Sequence, residues 1–133
     1  APPDPLARHG DTWRYRKGTS EPPTDWHSVP DESLDGTWDT GPGGFGYGDG
    51  DDGTVLGDMQ NGYWTVYARK TFEVTAGMDP GRRLRLTVDY DDGCIVYLDG
   101  QEVFRSSNVP GAAGTPYGCS QNLLTSGHEA SGG

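Results

Sequence analysis

The chain has 133 residues, with 10 Lys and Arg against 20 Asp and Glu and a formal net charge of −10, a length that fits a single domain over 1–133. That balance excludes nucleic acid and anionic membrane surfaces as partners, because no run of Lys and Arg offsets the repulsion, and no apolar stretch approaches the ~20 residues that cross a bilayer. The 22 Gly and 10 Pro exclude long helices, while four Trp, seven Tyr and three Phe argue for a folded core despite a hydrophobic content of 32%.

The chain opens on Ala1 and not on Met, which reads as a processed or excised chain. Residues 1–11 form a Pro-rich lead that cannot start a helix or a central strand. In Thr12–Lys17 the residues alternate, and the pattern predicts a first strand with Trp13 and Tyr15 on its buried face and cations on the other. Residues 18–63 read as loops that recur to Gly, Pro, Asp, Ser and Thr, pinned to the body by Trp26, Trp38, Phe45 and Tyr47. Loops of that length in a compact domain tend to carry function.

The second half is more regular. Tyr63–Val74 is aromatic and β-branched and predicts a long strand. Arg82–Tyr90 carries the clearest alternation, with Leu84, Leu86, Val88 and Tyr90 on one face. Asp91-Asp92-Gly93 predicts a turn, and Cys94–Leu98 and Gln101–Arg105 flank Asp99-Gly100, a strong two-residue hairpin signal. Residues 106–133 read as a loop-rich tail. These elements predict an all-β protein, a sandwich or jelly roll.

Cys94 and Cys119 either remain free thiols or close one bridge. The acidic, Lys-poor, aromatic-rich composition resembles that of exported proteins, which favours the bridge and a stabilisation of ~3 kcal/mol. No Asn-x-Ser/Thr sequon is present.

The order of motifs resembles the galactose-binding-domain-like modules of bacterial secreted and surface proteins. The residues concerned are Trp13-Arg14-Tyr15, Trp26, Trp38, Gly44–Gly48, Tyr67–Phe72, Asp91–Gly100 and Glu102–Arg105, so the likeness spans about residues 11–130. It implies a jelly-roll β-sandwich without catalytic machinery, in which loops at one end bind sugars, calcium or protein surfaces. It also implies two or three closing strands beyond Gly111, where this chain continues only to Gly133. A fragment boundary accounts for that, and so does completion by strands from a neighbouring chain.

Trp26, Trp38, Tyr47 and Trp64 are the candidate rings for stacking on a pyranose, and the same rings are also the natural core of so aliphatic-poor a chain. Arg69 is a candidate donor to sugar hydroxyls or an ordinary surface cation. The loop Asp49-Gly50-Asp51-Asp52-Gly53 offers convergent carboxylates to Ca²⁺, without the spacing of an EF-hand, and Asp91 with Asp92 is a second candidate pair. The plainer reading of the first is a solvated acidic turn, and Asp-Asp-Gly also simply makes a turn. No cofactor other than Ca²⁺ is implied.

Catalysis has little support. His9, His27 and His128 form no zinc pattern, no nucleophile elbow is present, and Gly43-Gly44-Phe45-Gly46 lacks the Lys and helix of a phosphate loop. The expectation is therefore a non-catalytic extracellular or cell-surface module that binds a carbohydrate or cell-surface glycan. The competing expectation is a structural subunit of an extracellular assembly that associates with neighbouring copies. An accessory piece of a larger hydrolase, continuous with the remainder of a longer protein, is a third.

Overall fold

A computed structural model describes residues 6–8, 10–48, 50, 52–73, 85–121 and 123–128. Regular structure among them is almost entirely strand: β1 (Thr12–Lys17), β2 (Asp39–Pro42), β3 (Phe45–Gly46), β4 (Thr54–Val55), β5 (Val66–Arg69), β6 (Ile95–Leu98) and β7 (Gln101–Arg105), with one 3-10 turn at Asp31–Ser33. The strands make three small sheets, β2-β1-β5, β3-β4 and β6-β7. The all-β reading stands at that level.

β1 is the centre of the largest sheet. It runs antiparallel to β2, with Trp13 opposite Gly41, and antiparallel to β5, with Arg14 opposite Arg69 and Arg16 opposite Tyr67. One face carries Tyr15, whose ring lies 5.2 Å from that of Phe45 in β3. The expected division of β1 into a buried aromatic face and an exposed cationic face does not hold. Arg16 is its most buried residue, 5% exposed, because the loop after β1 folds over the cationic face. Its guanidinium donates to the carbonyls of Ser20 and Glu21 and to the hydroxyls of Ser20 and Thr37. Several acceptors in a fork geometry offset the cost of burying a cation.

The long strand expected over Tyr63–Val74 shrinks to Val66–Arg69. Tyr63 ends a turn, with Gly62 and Tyr63 N–H groups donating to the Met59 carbonyl and its hydroxyl donating to Asp58, 2.9 Å away. Val74 lies outside the described residues, as do 82–84 of the expected Arg82–Tyr90 strand. The described remainder, 85–90, forms no strand, and Leu86 and Val88 are exposed. Alternation prepares a face, but a strand needs a ladder partner, and no described strand pairs with this segment.

The hairpin is as predicted. Asp99 and Gly100 both have positive φ, 50° and 79°, as the two central residues of a type I′ turn require. The register shifts between Val96 and Tyr97, so Val103 is the extra residue of a bulge in β7. Arg105, near the end of β7, closes a buried ion pair with Glu102 at 2.8 Å and donates to the Pro110 carbonyl at 2.8 Å.

Among the described residues the buried apolar ones are Trp38, Leu56, Tyr63, Val109 and Cys119, and none of these belongs to a strand. Loops fold over the small sheets and supply the core. The tail takes part in this. Asn108 is buried, donates to the Ser126 carbonyl at 2.8 Å and to the Asp92 carbonyl, and accepts from the Ser106 hydroxyl at 2.7 Å. His128 stacks on Tyr90 with ring centroids 4.2 Å apart.

The expected Cys94–Cys119 bridge is not formed, and both residues are free. Different neighbours hold the two backbones. The Cys94 N–H donates to the Ser106 hydroxyl beside the hairpin, whereas Cys119 is held by the Glu21 carboxylate and by the Thr65 hydroxyl at the start of β5. Burial pushes both thiols above their ordinary range.

Candidate functional site

The segment between β1 and β2 is a chain of tight turns. Trp26 N–H donates to the Pro23 carbonyl at 3.0 Å and Ser28 N–H to that of Asp25 at 2.9 Å. Ser33 and Leu34 close the 3-10 turn onto Pro30 and Asp31. The Asp35 carboxylate then accepts from the Thr37 N–H at 2.9 Å and from its hydroxyl, an Asx-type turn that sets the direction into β2. Those bonds, the hydroxyl's foremost, hold the Asp35 carboxyl below the ordinary carboxylate range.

Two arginines from the sheet fix this string of turns in place. Arg16 holds its two ends, at residues 20–21 and at Thr37. Arg69 holds its middle, donating to the Trp26 carbonyl at 2.8 Å and to Asp31 at 3.1 Å. Arg69 is therefore a buttress for the loop and not an ordinary surface cation.

Trp26 is the hub of the ring packing. Its centroid lies 5.9 Å from Trp38 in a stacked arrangement, 5.2 Å from Tyr67 and 5.8 Å from Tyr97 in edge-on ones. His27 stacks on Tyr97 at 4.4 Å, and its Nδ1 is buried with no hydrogen-bond partner among the described residues. Burial pushes the Tyr67 hydroxyl up to about 12 and raises that of Tyr97 as well.

Beside the Trp26–Trp38 pair is an open concavity of about 270 Å³, lined among others by Asp25, Trp26, Val29, Leu34, Asp35 and Trp38. Of the candidate stacking rings, the fold thus brings Trp26 and Trp38 to one place. Trp38 is 9% exposed and belongs to the core; Trp26 is half-buried. Tyr47 and Trp64 do not line this concavity. Both are exposed, Trp64 at 61%, at the loop after β3 and just before β5.

Of the candidate metal ligands, Asp49 and Asp51 lie outside the described residues. The Asp52 carboxylate rests against Gly46, within 2.9 Å of where a side-chain carbon there would stand. Asp91-Asp92-Gly93 is a turn with Asp92 at φ 68°. Asp92 donates its N–H to the His128 carbonyl and accepts from Asn108. Among the described residues no three His, Cys, Asp or Glu side chains converge in a way that could hold a metal ion.

Sequence reasoning missed Arg16, Asp31, Asp35 and Asn108. A Pro-Asp-Glu-Ser run is a fair signal for the turn that carries Asp31, and Asp35-x-Thr37 for the one that follows. Nothing local distinguishes Arg16 from its exposed neighbours, since its partners are set by the loop's path.

Compared with known proteins, the chain matches no family model, no curated protein and no solved structure.

Proposed function

We propose that the chain is a non-catalytic extracellular binding module built as a jelly-roll β-sandwich similar to galactose-binding-like domains, with a carbohydrate as its ligand. The observation that carries this reading is the concavity beside Trp26 and Trp38. An indole face matches the C–H face of a pyranose, and Asp25 and Asp35, among the lining residues, bring carboxylates that can accept from sugar hydroxyls. A mixed aromatic and polar concavity is the ordinary form of a small-ligand site. The sandwich reading is supported by the all-strand character and by the ring contact of Tyr15 in the β2-β1-β5 sheet with Phe45 in the β3-β4 sheet. Extracellular placement rests on the acidic, Lys-poor composition; the free thiols lend it nothing.

A structural Ca²⁺ at the 49–53 loop, held by Asp49, Asp51 and Asp52, belongs to the same proposal. Asp91 and Asp92, at the turn that meets the tail, are the second candidate pair of ligands. A chelator then lowers the melting temperature, since an ion bound only to the folded state stabilises it by mass action; an unchanged melting temperature removes the ion.

The test is retention of the chain on a panel of neutral glycans, with Asp25→Ala as the probe variant. Loss of retention in a variant that melts like the parent supports the site. A folded parent chain that retains no glycan overturns the reading.

A second reading, a subunit of an extracellular assembly completed by strands of a neighbouring chain, is favoured by one feature. Leu86 and Val88 are exposed in a segment that pairs with no strand among the described residues, and Leu98, Val103 and Phe104 are exposed on the β6-β7 hairpin. Light scattering tests it: a concentration-independent monomer rejects assembly.

A further inference from the structure

A second concavity, of about 240 Å³, opens on the β2-β1-β5 sheet, and its lining is of another character: Thr12, Trp13, Arg14, Thr40, Arg69 and Lys70 among others. Three of the ten Lys and Arg of this strongly acidic chain converge there, although no run of cations is present in the sequence. The pairing explains the convergence. Arg14 and Arg69 are directly opposed across β1 and β5, Thr40 is opposite Arg14 on the other side, and Lys70 follows Arg69 as the chain leaves the strand.

The counter-charge is incomplete. Asp31 is taken first by Arg69, at 3.1 Å, and stands 3.5 Å from the Arg14 Nε, beyond a good hydrogen bond. Lys70 has Asp11 at a longer 3.8 Å. Among the described residues three cations thus meet two carboxylates; Arg14 is the most open of them, its side chain 42% exposed against 22% for Lys70, which also donates to the Thr12 carbonyl, and 13% for Arg69. Thr12, Thr40 and Trp13 complete the lining with hydroxyl-bearing and aromatic residues.

We propose that this concavity binds the anionic substituent, a carboxylate or a sulfate, of an acidic sugar residue. A planar guanidinium and an ammonium together suit such a group. The inference rests on the carbohydrate reading and deepens it. Asp31 lines this concavity while Leu34 and Asp35 line the one beside Trp26, so the 3-10 turn separates two neighbouring subsites. Arg69 ties them together through the Trp26 carbonyl and Asp31. One oligosaccharide thereby meets an aromatic subsite and a cationic one. A net charge of −10 repels polyanions in general, so capture of an acidic glycan needs a local site of this kind.

The experiment is calorimetric titration of the whole chain with oligogalacturonate, with sulfated dextran, and with neutral galactan and dextran of matched length. The expected result is at least tenfold tighter binding of one acidic glycan than of its neutral counterpart, lessened by added salt. The Arg14→Gln/Lys70→Gln variant loses that preference while keeping the parent's melting temperature and neutral-glycan affinity, and Arg14→Lys/Lys70→Arg restores part of it. Preference for sulfate over carboxylate, or the reverse, supports the site and names its anion. Equal affinity for acidic and neutral glycans, or a preference untouched by the double variant, overturns this inference alone. Binding of neither overturns it together with the carbohydrate reading.

Discussion

Arg14 and Arg69 face each other directly across the β1–β5 ladder, and one carboxylate, Asp31, answers both. Like charges opposite one another destabilise a sheet. Here the loop between β1 and β2 returns over the sheet to place its 3-10 turn, and hence Asp31, at that point. The same contact that relieves the repulsion fixes the turn dividing the two concavities.

Asp31→Asn removes the shared counter-charge and leaves Arg69, which is largely covered, facing a second cation. The expected loss is ~1–2 kcal/mol, since a hydrogen bond to a charged group is being weakened in a partly solvated setting. Adding Arg14→Gln recovers part of it, a non-additivity that a double-mutant cycle in urea reads directly. Simple additivity of the two changes contradicts the shared-carboxylate account.

Arg16→Ala strands the carbonyls of Ser20 and Glu21 and the hydroxyls of Ser20 and Thr37 under a loop that has lost its clamp. The expected cost is ~3 kcal/mol, with a red shift of tryptophan emission as the Trp26 loop loosens. Arg16→Lys rescues little, because an ammonium cannot reproduce the fork. An Arg16→Ala chain as stable as the parent would show that the loop holds itself.

Stability falls on the acid side. The Glu102 carboxyl is held below its ordinary value of 4.5 by its hydrogen bond with Arg105, and that of Asp58 below 3.8 by the Lys17 ammonium and the Tyr63 hydroxyl. A carboxyl lowered in the folded state binds its proton less readily there than in the unfolded chain. Its contribution is therefore present above the unfolded value and is lost as pH falls through the folded one. Urea unfolding from pH 7 down to pH 3 should show stability declining below about pH 4.5, with a shallower decline in Glu102→Gln. An acid limb of unchanged slope in that variant removes Glu102 from the explanation.

The two cysteines provide a chemical check. Without reductant, denatured chain should take up two alkyl groups by mass, and native chain should react slowly because burial disfavours both thiolates. No uptake without reductant would restore the bridge.

What could be read from the residues was what local chemistry decides. Asp99-Gly100 announced its hairpin because both positions tolerate positive φ, and Thr12–Lys17 announced a strand by alternation. Arg82–Tyr90 had the better alternation, yet residues 85–90 form no strand, since pairing depends on a partner elsewhere in the chain. The core was hidden for the same reason: Leu56, Tyr63 and Val109 sit among turn residues, and only the return of loops over small sheets buries them. Of the site, the rings Trp26 and Trp38 were visible as types. Their meeting, and the roles of Arg69 and Asp31, are products of the loop's path.

The central claim, that the concavity beside Trp26 and Trp38 receives a sugar, is tested most directly by calorimetric titration with the best-retained neutral glycan of the parent chain and of Val29→Trp, which fills the concavity from its lining. The predicted result is saturable binding by the parent, weakened at least tenfold in Val29→Trp, with both chains melting cooperatively at similar temperatures. Undiminished binding in a folded Val29→Trp chain would contradict the claim.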